Sequence, residues 1–290
     1  MADLGYDGKV AVITGAGGGL GRSHAIYLAG QGARLVVNDV ALPAAERVAA
    51  EIVAAGGEAI AVAASVTDEA EIAAMVEAAM VRWGRIDILI NNAGILRDKS
   101  FAKMEMEDFR AVVDVHLIGS ANCTKAVWAA MQEQAYGRVL MTASSTGLYG
   151  NFGQANYGAA KLGLAGFART LHLEGVKHDI RVNTIAPTAA TRMTEDIFPA
   201  DLLDMFKPEL VAPAALFLVS EDAPTGTILG AGAGVVQAAH VTLTRGVKLD
   251  EPTPEAVAAN FTAIVDRDGE TVPQSGAEQA MTIMQRLQGN

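Results

Sequence analysis

A hydroxyl, a phenol and an ammonium are the reactive groups in one stretch, SSTGLYGNFGQANYGAAK, which runs from Ser144 to Lys161. Tyr157 and Lys161 stand four residues apart, so on a helix both side chains share a face. A fixed positive charge beside a phenol favours phenolate, and the expectation is a lowered tyrosine pKa. Such a tyrosine can pass a proton to or from an alcohol near neutral pH. Ser144 lies thirteen residues before Tyr157, just after the apolar run Arg138–Thr142, which reads as a strand. Its hydroxyl can hold the same oxygen. Tyr-x-x-x-Lys by itself also occurs by chance on exposed helices, so its meaning depends on what else the chain brings to the same place.

A second group of residues points to a dinucleotide. Lys9–Thr14 reads as a buried strand, Gly15-Ala-Gly-Gly-Gly-Leu-Gly21 follows at once, and Arg22–Gly30 has helical apolar spacing. Gly15, Gly19, Leu20 and Gly21 therefore sit where a strand turns into a helix. Glycine there lets the backbone turn tightly and approach a pyrophosphate, whose charge the helix N-terminus attracts. The order is G-x-x-x-G-x-G, which differs from the commoner G-x-G-x-x-G. The next strand, Ala33–Asp39, ends in an acid eighteen residues past Gly21, near the usual offset of about twenty. A carboxylate at that point can accept hydrogen bonds from both ribose hydroxyls and repels a 2′-phosphate, which favours NAD over NADP.

These groups need elements to position them. Helices are expected at Pro43–Ala55 and Asp68–Trp83, and strands at Glu58–Ala63 and Arg85–Ile90, the latter followed by Asn91-Asn-Ala-Gly94. Met106–Gln134 reads as a long helix carrying His116 and split near Gly119. Gln154–Val176 reads as the helix of Tyr157 and Lys161, and Asp179–Ala186 as the sixth strand. Glu209–Ser220 is expected to be a helix, and Thr227–Leu229 the core of a last short strand. Strands alternating with helices imply an α/β, Rossmann-like, doubly wound parallel sheet. Gly15, Asp39, Asn91–Gly94 and Ser144 all fall at carboxyl ends of its strands, where such sheets bind ligands. Thr188–Pro208, with mixed polarity and two prolines, reads as a lid. The expected division is a catalytic domain over 1–245 and a small helical extension over 246–290, with short helices at Pro254–Val265 and Ser275–Leu287.

Composition limits the alternatives. The chain has 290 residues, and 51% are hydrophobic, enough for a large core. The net charge of -11, with no basic run, argues against nucleic acid. Cys123 is the only cysteine, so internal disulfides are excluded and a metal site is not expected. The N-terminal residues lack the apolar stretch of a signal peptide, no run reaches membrane-span length, and the C-terminal RLQGN is not a peroxisomal address. The expected location is cytoplasmic.

Taken in order, TGAGGGLG at 14–21, NNAG at 91–94, Ser144, Tyr157-Gly-Ala-Ala-Lys161 and Asn183–Pro187 resemble the short-chain dehydrogenase/reductase family over about 230 residues. The resemblance implies that Ser144 holds the substrate oxygen and Tyr157 is the acid/base. Lys161 then lowers the tyrosine's pKa and binds the nicotinamide ribose. It implies cofactor contacts from Gly15, Gly19, Leu20, Gly21, Asp39, Ser65, Val66, Asn92, Ala93, Gly94, Tyr157, Lys161, Pro187 and Thr191. Within the family, NNAGILRDKSF, YGNFGQANYGAAKLGL, NTIAPTAATRMT, MFKPELVAP and the tail are similar to the (3R)-hydroxyacyl-CoA dehydrogenase parts of peroxisomal multifunctional enzymes. His116 stands where most members carry a catalytic Asn, a feature of that branch, and Thr188 stands where most have Gly. The implied function is NAD-dependent interconversion of a (3R)-3-hydroxyacyl-CoA and a 3-ketoacyl-CoA. The alternatives are a 17β-hydroxysteroid or steroid side-chain acyl-CoA as substrate, and a non-catalytic NAD-binding scaffold. A homodimer or homotetramer through the two long helices is also implied.

Overall fold

Val10–Ile13 (β1) is buried at every position, as a strand covered on both faces must be. The computed structural model describes residues 4–190 and 203–287. Strands β2 (Arg34–Asp39), β3 (Glu58–Ala63), β4 (Ile88–Asn91), β5 (Gly137–Thr142), β6 (Ile180–Pro187), β7 (Ile228–Gly232) and β8 (Val235–Ala239) join β1 in one sheet of order 3-2-1-4-5-6-7-8. The pairings from β3 across to β7 are parallel; for example, Val12 lies opposite Val36 on one side and Leu89 on the other. The chain reverses its direction of growth between β3 and β4. The carboxyl ends of β1 and β4 therefore border the crevice that such sheets use for ligands.

Helices α1 (Gly19–Gly30), α2 (Leu42–Ala54) and α3 (Glu69–Trp83) are the first three crossovers. α4 (Met106–Val113) and α5 (Gly119–Gln134) precede β5. After β5 come α6 (Ser145–Tyr149) and α7 (Ala155–Gly175), and α8 (Ala212–Phe217) precedes β7. Two apolar layers result. Leu28, Val48, Ile52 and Leu216 fill one face of the sheet; Ile72, Met75, Val127, Met131 and Leu164 fill the other. Arg138, near the start of β5, is fully buried, and its charge is met by Asp179 Oδ2 at 3.0 Å and Ser220 O at 3.0 Å. That pairing ties β5 to the start of β6, as a buried charge requires.

The long helix expected over 106–134 is split near Gly119, as read from the sequence, by a π-turn at Asp114–Ile118. A Cβ at Gly119 would lie 2.6 Å from Val66 Cγ2, so close packing on the β3 end requires glycine there. β8 was not expected; it follows β7 through Ala233 and Gly234, both at positive φ (51° and 78°), as a two-residue hairpin turn requires. α6 was not expected either. The helix expected at Glu209–Ser220 is a 3₁₀ turn at Pro208–Leu210 followed by the shorter α8. Residues 191–202 of the expected lid, Thr191 among them, lie outside the described residues.

The chain divides into two compact units, Met1–Ala238 and Ala239–Asn290. The second unit holds α9 (Pro254–Ala259), α10 (Phe261–Ile264) and α11 (Gly276–Leu287). Thr253 caps α9 by accepting from Ala256 N at 3.1 Å, and Asn260 breaks the helix expected over 254–265. A single antiparallel bridge joins Leu243 to Thr271.

Candidate active site

Ser144 sits at the N-cap of α6, where its backbone is extended and its Oγ accepts from Thr146 N at 3.2 Å. α6 lies directly on α7: a Cβ at Gly147 would come within 2.7 Å of Lys161 Cβ and 2.8 Å of Leu162 N. Only glycine permits that approach, and the approach brings Ser144 to Tyr157. The Ser144 side chain lies close enough to act on the Tyr157 phenol. One turn along α7, Lys161 is fully buried and donates from Nζ to the carbonyl of Thr142 at the end of β5. Its Nζ is 5.4 Å from the centroid of the Tyr157 ring.

Burial dominates the electrostatics of this cluster. It pushes the Lys161 ammonium down to about 7. It also raises the Tyr157 phenol above its ordinary value; the Ser144 side chain opposes that shift and the Asp98 carboxylate adds to it. The sequence-based expectation was the reverse, a phenol lowered by Lys161. The physical reason is that removing a phenolate from water costs more here than the Ser144 side chain returns, while the ammonium is turned to the Thr142 carbonyl. In this arrangement the phenol holds its proton at neutral pH and can donate it.

His116 lies on the π-turn, buried, with its ring edge-on to Tyr157 at 5.2 Å between centroids. Its Nε2 is 2.8 Å from Ile95 O and 3.1 Å from Ile95 N, donating to the first or accepting from the second according to tautomer. Burial first, and then the Lys161 charge, push its pKa down to about 3, so it is a neutral imidazole. Nδ1 has no partner among the described residues. A Cβ at Gly94 would fall 2.2 Å from His116 Cε1, so Gly94 makes room for this ring.

The glycine-rich turn is built by contact between backbones. Gly15 (φ 62°) and Gly19 (φ 53°) are in the left-handed region that glycine adopts freely. A Cβ at Gly21 would meet Gly15 O at 2.5 Å and Asn92 Nδ2 at 2.6 Å. Asn92 Nδ2 donates to Thr14 O and Gly15 O (2.9 and 3.1 Å), and Asn92 N and Ala93 N both donate to Thr14 Oγ1. The end of β4 thus braces the turn. α1 begins with no side-chain cap and no acid in its first turn, leaving its first N–H groups for an anion. Leu20 packs part-buried on the core below.

Asp39, at the end of β2, accepts from Gly17 N at 3.1 Å and Ala41 N at 3.0 Å, so it also staples the turn; a carboxylate retains further lone pairs for a ribose. Ser65 and Val66 follow β3. Ser65 Oγ pairs with Thr67 Oγ1 at 2.8 Å, and Val66 is buried. Pro187 closes β6 opposite Ala231. Asn91, the first of the Asn pair, is core, donating to Thr124 Oγ1 at 3.0 Å.

One network was not anticipated. Buried Gln154 donates to Asp98 Oδ2 at 2.7 Å, and its Oε1 accepts from Thr146 Oγ1 at 2.9 Å and Asn151 Nδ2 at 3.0 Å. Asn156 Nδ2 donates to Arg97 O at 3.0 Å. These bonds fasten the 95–100 loop to the start of α7 beside Tyr157. The only sequence signal was a Gln three residues before the tyrosine.

Residues 9–201 match the model of the short chain dehydrogenase family. The chain belongs to that family. The dehydrogenase is 44% identical to peroxisomal multifunctional enzyme type 2 of Mus musculus, over 98% of this chain but 40% of that protein. The solved full-length enzyme of that name from Drosophila melanogaster superposes with a TM-score of 0.85 at 40% identity, over 98% of this chain and 50% of that one. A 7α-hydroxysteroid dehydrogenase solved with NADH and 7-oxoglycochenodeoxycholic acid matches at 0.75 and 33% identity, over 80% of this chain and 96% of its own. The dehydrogenase spans half or less of those two multifunctional relatives. It is an oxidoreductase that uses a nicotinamide dinucleotide, and the residues present fit one. Gly15 and Gly21 let the turn close against Ala93 and Asn92, and the turn leads into α1, which offers uncapped N–H groups to a pyrophosphate. Among the described residues no cluster of His, Cys, Asp or Glu could hold a metal, and no helix is long and apolar enough to cross a membrane.

Proposed function

We propose that the dehydrogenase interconverts a (3R)-3-hydroxyacyl-CoA and the 3-ketoacyl-CoA with NAD. The observation that carries this is the convergence of Ser144, Tyr157 and the buried Lys161, whose Nζ donates to Thr142 O, at the carboxyl edge of the sheet. The resemblance of NNAGILRDKSF, YGNFGQANYGAAKLGL and the tail to (3R)-hydroxyacyl-CoA dehydrogenases supports acyl-CoA as the substrate class. The carboxylate of Asp39 beside Gly17 supports NAD, because a 2′-phosphate there would meet a negative charge.

A bound nicotinamide supplies the hydride acceptor or donor. The rest belongs to the chain. Ser144 Oγ holds the substrate oxygen, and Tyr157 Oη delivers a proton to it in reduction or takes one in oxidation. Lys161 places its ammonium beneath the phenol and within reach of the nicotinamide ribose. His116, neutral and fixed to Ile95, orients the tyrosine ring. Gly19, Leu20, Gly21, Ser65, Val66, Asn92, Ala93, Gly94 and Pro187 would hold a bound dinucleotide, and the resemblance implies Thr191 with them.

A second reading keeps the site and changes the substrate to a hydroxysteroid or a steroid side-chain acyl-CoA, and the similarity to a bile-acid dehydrogenase favours it. A homodimer or homotetramer belongs to the same proposal, supported by Met106 on α4 and Leu162 and Leu173 on α7, which are exposed, as does a cytoplasmic location. The test is NADH formation with paired (3R)- and (3S)-3-hydroxyacyl-CoA of several chain lengths, with NADP and a 17β-hydroxysteroid in parallel. Turnover confined to (3R) thioesters with NAD supports the first reading. Turnover of the steroid alone transfers the assignment to the second, and binding of NAD with no turnover of any alcohol leaves the scaffold.

A further inference from the structure

The second unit, 239–290, is acidic in composition but not in distribution. It carries four cations, Arg245, Lys248, Arg267 and Arg286, against seven acids. Arg267 is neutralised by Glu270 at 2.6 Å. The other three cations line a single cavity of about 490 Å³, and no acid is among the described residues lining it. None of the three forms an ion pair with a described carboxylate. Three of the unit's four cations are gathered on one concavity, in a chain of net charge -11.

Local structure explains how the cations meet. Thr282, Gln285 and Arg286 are spaced i, i+3, i+4 on α11 and so share one face. Arg245 and Lys248 come from the strand-like segment that pairs Leu243 with Thr271, 2.9 Å in both directions. Gly269, at φ 67°, packs on the Arg245 stem; a Cβ there would lie 2.7 Å from Arg245 Cδ. The hydroxyls of Thr244 and Thr282 donate to the carbonyls of Ile264 and Glu278 (2.8 and 2.9 Å). The guanidinium and ammonium groups, with the side chains of Thr271 and Gln285, are therefore the donors left to a ligand. Two forks and a point charge are the set that recognises phosphate esters, and the volume suits a nucleotide.

We infer that this cavity binds a phosphorylated nucleotide, of the kind that forms the bisphosphate head of CoA. Identifying the head with that of the substrate rests on the acyl-CoA reading above; the phosphate site itself does not.

The experiment is calorimetric titration of the full chain with adenosine 3′,5′-bisphosphate, with 5′-ADP and inorganic phosphate as parallel probes. Saturable binding that weakens with salt is expected. Arg245→Ala combined with Arg286→Ala should weaken it by about tenfold or more, while Arg286→Lys keeps part of it. NADH affinity should be unchanged in every variant, which also shows that the first unit is folded. Failure of the wild-type chain to bind, or equal binding by the double variant, overturns the inference even if CoA thioesters are turned over. If the bisphosphate binds and no CoA thioester reacts, the site stands and the substrate reading falls. A KM raised for the CoA thioester but not for the pantetheine thioester, at constant kcat, assigns the bound head to the substrate. A KM raised for neither assigns it to a free nucleotide.

Discussion

At the carboxyl end of β1 the working groups are main-chain ones, glycines without a Cβ, uncapped N–H groups and carbonyls held by Asn92, joined by the one carboxylate of Asp39 at the end of β2. At the ends of β5 and along α7 they are side chains, and their properties come from burial. Lys161 has lost most of its preference for the charged form, Tyr157 holds its proton more tightly, and His116 is neutral. The first region binds by shape and needs only that nothing fill it. The second reacts because groups normally in water have been taken out of it, and that costs stability.

The comparison breaks if substitutions in the two regions fail alike. The largest effect is expected from Tyr157→Phe, with kcat down by about 10³-fold and NADH affinity within about twofold of wild type. A parallel loss of NADH binding would show that the phenol also serves the cofactor. Lys161→Met should lower kcat by about 10²-fold and at the same time stabilise the fold near pH 7. The folded lysine sheds its proton near 7 and the unfolded one near 10.5, so its contribution to stability rises with pH across that window. Urea titrations at pH 7 and pH 9.5 should show a flatter pH slope in the variant than in the wild type.

Gly21→Ala tests the other region. Its methyl meets backbone and the Asn92 amide, so destabilisation of about 1–3 kcal/mol with weakened NADH binding is expected in thermal melts and fluorescence titrations. Wild-type behaviour would mean that the turn has slack. Asp39→Ala should reduce the NAD-over-NADP ratio of kcat/KM about tenfold. The smallest effect concerns His24, fully buried in α1 with both ring nitrogens unpartnered among the described residues, where burial pushes its pKa from 6.5 down to about 4. The unfolded histidine takes up a proton first, so stability is lost as pH falls from about 6.5 towards 4. That loss is at most about 1.4 kcal/mol per pH unit. His24→Leu should remove the slope, as read from unfolding midpoints at pH 5 and 7.

Backbone chemistry was the more legible of the two regions. Gly15, Gly19, Gly21 and Asp39 announce a strand, a turn and a helix N-terminus through local geometry alone, and alternating apolar runs announced the parallel sheet. The spacing of Tyr157 and Lys161 was legible for the same reason, because four residues make one helical turn. The electrostatics of those two residues were not. The expected lowering of the phenol ignored the desolvation that α6, Gly147 and the core below α7 impose.

Sequence by itself determined strands β1 to β7 and the main crossover helices, the glycine-rich turn and the identity of the reactive groups, since each follows from interactions within a few residues. Tertiary structure alone decided the π-turn that aims His116, the Gly94 space that receives it and the Gln154–Asp98 tie beside Tyr157. It alone also decided the gathering of three cations in the second unit. Those features join residues far apart in the chain, and their energies depend on which groups are removed from water together.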